Sequence, residues 1–138
     1  MSKAAVIFWS GTGNTEDMAN GIVKGMQEAG ADVELYEVTK APSDISGYDK
    51  VAFGCPSMGD EVLEESDFEP YFTAAEKQVS GKKIALFGSY GWGDGEWMRN
   101  WYARAKEDGA VMMDEGFMVN DAPEEAECVE YGKKFAAF

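Results

Sequence analysis

Six apolar residues, Ala4 to Trp9 (AAVIFW), run without a break into Ser10 to Glu16, SGTGNTE. An unbroken apolar run suits a parallel strand covered on both faces. Beyond the turn, Met18, Ile22, Val23 and Met26 recur at helical spacing from Asn14 to Ala29, and Gly30 follows as a stop. A buried strand, a glycine-rich turn and an amphipathic helix in that order restrict the chain more than any other feature. Such a unit has to lay its helix across a sheet.

The rest of the chain keeps alternating. Asp32 to Val38 alternates as a second strand, Ala41 to Gly47 is a loop, and Val51 to Gly54 is a short third strand. Ser66 to Gln78 reads as a helix, with Ser66 and Glu69 at capping-box spacing and Pro70 within the first turn or so. Lys83 to Gly88 is a fourth strand. Asp94 is placed to cap a helix from Gly95 to Asp108 that stops at Gly109. A fifth strand, Ala110 to Val119, is broken at Asp114 to Gly116, and Pro123 opens a last helix with Glu124 and Glu125 at its positive end. Five strands alternating with about four helices predict an α/β fold, a parallel sheet with helices on both faces. The length, 138 residues, fits one domain spanning 1–138.

In such folds ligands bind beyond the carboxyl ends of the strands. Three loops therefore matter most: Ser10 to Thr15, Pro56 to Glu61 and Ser89 to Asp94. The first lacks the lysine of a P-loop, and Glu16 stands where a dinucleotide fingerprint needs its third glycine. Ser10, Thr12, Asn14 and Thr15, with backbone N–H groups around Gly11 and Gly13, suit a terminal phosphate held by hydrogen bonds and the helix dipole. The third loop sets Tyr90 and Trp92 among glycines, and the second offers Met58, whose sulfur packs well on aromatic faces. Together they fit a phosphorylated, planar, conjugated ligand.

Net charge is −14, from 26 acids against 12 bases, which disfavours nucleic acid and anionic membranes as partners. Asp60 to Glu69 holds six acids and no base; Asp114 to Glu130 holds seven and no base. These stretches read as solvated faces that also steer basic partners. No apolar run reaches the ~20 residues of a membrane span. The N-terminal run has no small-residue cleavage pattern and reads as a first strand of a cytoplasmic protein. Cys55 and Cys128 read as reduced thiols. With no histidine and no C-x-x-C pair, a zinc site, a thiol redox centre or a histidine-assisted nucleophile has nothing to build on.

SGTGNTE, CPSMGDEVLEESDFEP and GKKIALFGSYGWGDGEWMR resemble the short-chain flavodoxins, and the likeness covers nearly the whole chain. It implies a doubly wound five-stranded sheet in the order 2-1-3-4-5. It also implies tight, non-covalent binding of FMN and a low-potential carrier that shuttles single electrons between its semiquinone and hydroquinone states rather than an enzyme. By the same resemblance, Ser10, Gly11, Thr12, Gly13, Asn14 and Thr15 form the phosphate loop. Met58 lies on the inner flavin face and Trp92 on the outer. Gly59 and Asp60 form the peptide that turns on reduction, and Glu61 accepts from flavin N3–H. Pro56 and Ser57 complete the second loop; Pro56 stands where related sequences carry a hydroxyl, so that contact is lost or replaced. Ser89, Tyr90, Gly91 and Gly93 flank the pyrimidine edge and ribityl chain. The remaining ribityl contact lies between Asn120 and Asp121, with Asn120 counted among the expected site residues. The implied partners are basic or positively patched redox proteins, ferredoxin-type reductases and acceptors, met by a monomer.

Two other readings are weaker. An FMN-dependent reductase needs a second substrate site, and no segment is spare for one. A signalling receiver domain needs acids after strand one and an aspartate closing strand three, where this chain has Ser10 and Cys55.

Overall fold

The computed structural model describes residues 3–138. In chain order the elements are β1 (Lys3–Phe8), α1 (Asn14–Glu28), β2 (Asp32–Glu37), β3 (Lys50–Gly54), α2 (Phe68–Ala75), β4 (Lys83–Tyr90), α3 (Glu96–Glu107), β5 (Val111–Met112), β6 (Phe117–Asn120) and α4 (Glu125–Ala137). Short 3₁₀ turns follow β2 at Val38–Lys40 and α2 at Glu76–Gln78. Every strand pair is parallel, in the order β2-β1-β3-β4-β5, and β6 also pairs with β4. The expected broken fifth strand is therefore two short strands along one neighbour: Lys83–Ile84 pair with β5 and Phe87–Tyr90 with β6.

The alternation of side chains along the strands sorts the core into two layers. Ala5, Ile7, Val51, Phe53, Ile84 and Leu86 face α2 and α3, where they meet Phe68, Phe72, Trp97 and Trp101. Ala4, Val6, Phe8, Ala52, Ala85 and Phe87 face α1 and α4, where they meet Met18, Ile22, Met26 and Phe135. Central strands buried on both faces explain why AAVIFW shows no polar alternation. On the second layer α1 and α4 approach backbone to backbone. A Cβ at Gly132 would run into the Ile22 carbonyl, and one at Gly25 into the Val129 carbonyl. Overpacking of that kind costs about 1–3 kcal/mol or more.

Two helix starts differ from expectation. Ser66 and Glu69 form no capping box. The carboxylate of Glu64, 7% exposed, accepts from the backbone N–H groups of Ser66, Asp67 and Phe68, each at 2.8 Å. Glu69 is drawn instead to Arg104, so α2 begins two residues later than the spacing predicts. Burial opposes ionisation of Glu64, but the three N–H donors outweigh it and hold its carboxyl below the ordinary range. At α3, Asp94 does not cap the helix; its carboxylate pairs with Arg99 at 3.0 Å. The first N–H groups of that helix go to Glu61, described below. Pro123 also stands before the last helix rather than in it, since α4 starts at Glu125.

The candidate cofactor site

The strand order reverses between β1 and β3: the chain leaves β1 outward for β2 and then returns to β3 on the other side. Loops at the carboxyl ends of these two strands part there and leave a crevice. A cavity of about 260 Å³ occupies it, lined by Trp9, Gly11, Thr12, Asn14, Pro56, Ser57, Met58, Ser89, Tyr90, Gly91 and Asp121. Nine of these eleven belong to the three loops singled out in the sequence.

The first loop is shaped from within. Ser10 Oγ accepts from Gly13 N–H at 3.1 Å and from Glu16 N–H at 3.2 Å, and its own hydroxyl proton stays available to donate. Gly13 turns the chain into α1 with a left-handed φ of 102°, which only glycine adopts without strain. The N–H groups of Thr12, Asn14 and Thr15 meet no acceptor among the described residues. They stand at the positive end of a helix of 15 residues, as a phosphate would require. Thr15 lies behind the loop, 1% exposed, with Oγ1 3.1 Å from Ser89 Oγ, and so ties the first loop to the third.

The second loop closes on itself. Met58 and Val62 exchange backbone hydrogen bonds at 2.9 and 3.0 Å, leaving Gly59, Asp60 and Glu61 as the tip. Gly59 has a φ of 50°, and a Cβ there would meet nothing within 4 Å. What glycine provides at 59 is conformation, not space. Below the tip, Cys55 anchors the loop: its thiol donates to Pro56 O at 3.5 Å and accepts from Glu64 N–H at 3.3 Å, and its carbonyl accepts from Trp97 Nε1 at 3.1 Å.

The remaining expected residues fall outside the cavity wall. Gly59 and Asp60 border a neighbouring depression of about 420 Å³ with Met58, Val62 and Glu64. Glu61 turns toward α3, where its Oε1 accepts from Gly95 and Glu96 N–H. Trp92 is 62% exposed and does not line the cavity, nor do Gly93 and Asn120. Of the two candidates in the last loop, Asp121 lines it. Asp121 takes a φ of 59° while its N–H donates to Tyr90 O at 2.9 Å. Trp9 is a lining residue that sequence reasoning passed over. The signal was the two-residue strand period, which puts Trp9 on the same face as Ile7, toward α3 rather than α1.

The fold and site define a doubly wound α/β protein whose first loop, free of lysine and arginine, opens on a crevice at the strand reversal. Comparison with known proteins makes this specific. The family model for flavodoxin matches residues 6–132. The chain is 49% identical over 134 residues to the flavodoxin of Clostridium beijerinckii, covering 95% of this chain and 97% of that one. It is 47% identical to the flavodoxin of Megasphaera elsdenii, covering 95% and 96%. The solution structure of two-electron reduced Megasphaera elsdenii flavodoxin superposes with a TM-score of 0.90, at 44% identity, over 98% of this chain and 99% of that one. The chain belongs to the flavodoxin family: it is an FMN-binding electron-transfer protein acting with redox partners, not an enzyme. No helix among the described residues is long and apolar enough to cross a membrane.

Proposed function

We propose that residues 1–138 form one FMN-binding domain in which the three loops divide the cofactor between them. The observation that carries this is their meeting in one crevice at the strand reversal, with open N–H donors at one end and an apolar slot at the other. The backbone N–H groups of Thr12, Asn14 and Thr15 and the hydroxyls of Ser10 and Thr12 take the phosphate. Pro56, Ser57, Ser89, Gly91 and Asp121 border the ribityl chain, and Met58 and Tyr90 flank the ring. Trp92, on a loop with glycines at 91, 93 and 95, swings over the outer face. Its exposure is that of a lid residue, and closing it removes apolar surface from water.

When bound, FMN would supply the low-potential one-electron chemistry. The protein's part is to set which charge and protonation state is favoured. Gly59 lets its carbonyl turn toward the ring and accept a hydrogen bond that exists only once a ring nitrogen is protonated. Asp60 and the other acids nearby oppose added negative charge, which keeps the last reduction step at low potential.

The acidic stretch at 60–69 also supports a reading of the partner. Three of its six acids are engaged inside the fold: Glu61 on α3, Glu64 on α2 and Glu69 on Arg104. Asp60, Glu65 and Asp67 are exposed and offer their charge to basic or positively patched redox proteins, ferredoxin-type reductases and acceptors, met by a monomer. Two buried free thiols agree with a reducing, cytoplasmic location. Titrating FMN-free protein with FMN, followed by flavin fluorescence, tests the reading. Stoichiometric quenching with micromolar or tighter affinity is expected, and no binding would refute it.

A further inference from the structure

Lys50 opens β3 at the end of the sheet away from the crevice, and it is only 8% exposed. Strand alternation puts it on the same face as Ala52, toward α1 and α4. Its Nζ donates to Phe135 O at 3.1 Å and to Ala136 O at 2.6 Å, carbonyls of the last turn of α4. An ammonium carries three donors. The third meets no acceptor among the described residues, and none of their ion pairs includes Lys50. The negative end of α4 supplies only roughly half a counter-charge. Burial lowers the Lys50 pKa, and Lys83, level with it on β4, lowers it further. Beside this ammonium lies a cavity of about 220 Å³, with Ala4, Met26, Ala29, Ala31 and Ala136 in its walls. Lys50 is the one charged residue that lines it among the described residues.

We propose that this cavity is a second binding site, which takes a small aliphatic monocarboxylate. The ligand carboxylate accepts the third Nζ proton and completes the neutralisation of a buried charge. The alkyl chain lies against the alanines and Met26. An apolar cavity of about 150 Å³ holds the six carbons of benzene, so this one has room for a chain of that length with its carboxylate. An inorganic anion would leave the apolar walls unused, and an amine would meet the like charge of Lys50. The ligand touches the end of α1, the start of β2, β3 and the end of α4 at once, so binding it holds that layer of the molecule together. The site stands at the opposite ends of the strands from the cofactor crevice and does not depend on the FMN reading.

Titration of the protein, with FMN present in excess, with sodium hexanoate tests this, followed residue by residue in NMR spectra. Saturable shifts are expected at Met26, Ala31 and Ala136, with a Kd of about 1 mM. Affinity should fall about fourfold for each CH₂ removed on going to pentanoate and butanoate. Hexanamide, which has the same shape without the charge, should bind at least about tenfold more weakly. Lys50→Met should abolish hexanoate binding. Because that variant also releases the end of α4, Ala31→Leu is the second: it keeps Lys50, fills the cavity and should weaken hexanoate about tenfold. Equal binding of hexanoate and hexanamide would overturn the site, as would hexanoate shifts confined to Met58 and Tyr90 in the crevice or no shifts at all. Inorganic phosphate binding as tightly as hexanoate would overturn the ligand class. The same titration without FMN should give the same result, so a failure of the cofactor reading leaves this one intact.

Discussion

Thr15 Oγ1 and Ser89 Oγ lie 3.1 Å apart in the buried floor of the site, 74 residues apart in sequence. The pair joins the start of α1 to the end of β4. Thr15→Val keeps the shape but leaves the Ser89 hydroxyl without its partner in a place that is only 6% exposed. A buried hydroxyl left unpaired costs about 1–2 kcal/mol. Urea unfolding of FMN-free protein should show a lowered midpoint of that size with an unchanged slope.

Arg104 gathers acids from α2 and its 3₁₀ extension. It meets Glu69 with two bonds of 2.8–2.9 Å and Glu76 with two of 2.7–2.8 Å, and its guanidinium lies 4.9 Å from the Phe72 ring centre. Asp108, just past the end of α3, is left over: its Oδ2 is buried without a partner among the described residues. Burial, and Glu76 beside it, push its carboxyl up to about 6 from an ordinary 3.8. A carboxyl whose folded pKa is the higher favours the folded state only while protonated. Its cost is absent near pH 4, grows as pH rises toward 6, and is full above that. Asp108→Asn should therefore stabilise the protein by about 1 kcal/mol at pH 7, with the gain fading between pH 6 and 4 in thermal unfolding scans. A gain that does not change with pH would show that Asp108 is not the titrating group.

At Gly59 a side chain has room but the backbone does not favour it. Gly59→Ala should penalise the turned peptide, whose carbonyl faces the ring, by about 1 kcal/mol relative to the unturned one. That corresponds to about 40 mV for a one-electron step. The midpoint of the first reduction of bound FMN should fall by that order in a spectroelectrochemical titration. An unchanged midpoint would mean that the 59–60 segment does not move on reduction.

Partner steering should depend on the exposed acids and not on the engaged ones. Combining Asp60→Asn, Glu65→Gln and Asp67→Asn should slow electron transfer to a basic acceptor protein roughly tenfold at low salt. The difference should vanish near 1 M salt, where screening is within ~3 Å. Stopped-flow rates across ionic strength provide the check. By contrast, Glu64→Gln should lower stability and leave the salt dependence alone.

The order of elements and the glycine-rich loops at the carboxyl ends of the strands were legible because they rest on local periodicity and glycine placement. What escaped was decided by tertiary competition. Ser66 and Glu69 have capping-box spacing, but Arg104, 35 residues further on, takes Glu69, and a buried Glu64 supplies the cap. Asp94 looks like a cap for α3 until Glu61 arrives from another loop. In both cases a carboxylate from outside the helix replaces the local one, which spacing cannot reveal. Trp9 was hidden for a different reason: it ends an apolar run, so it reads as core although it lines the site. Six acids in ten residues looked like one charged surface, yet half of them are structural.

The two cysteines divide between the two apolar layers. Cys55 belongs to the layer under α2 and α3, Cys128 to the layer under α1 and α4, and both are fully buried. Burial raises both thiol pKa values, that of Cys128 to about 11, so neither offers a thiolate to reagents while its layer stays shut. Each half of the molecule thus carries its own silent chemical tag, and the order in which the tags become reactive records which face of the sheet lets go first.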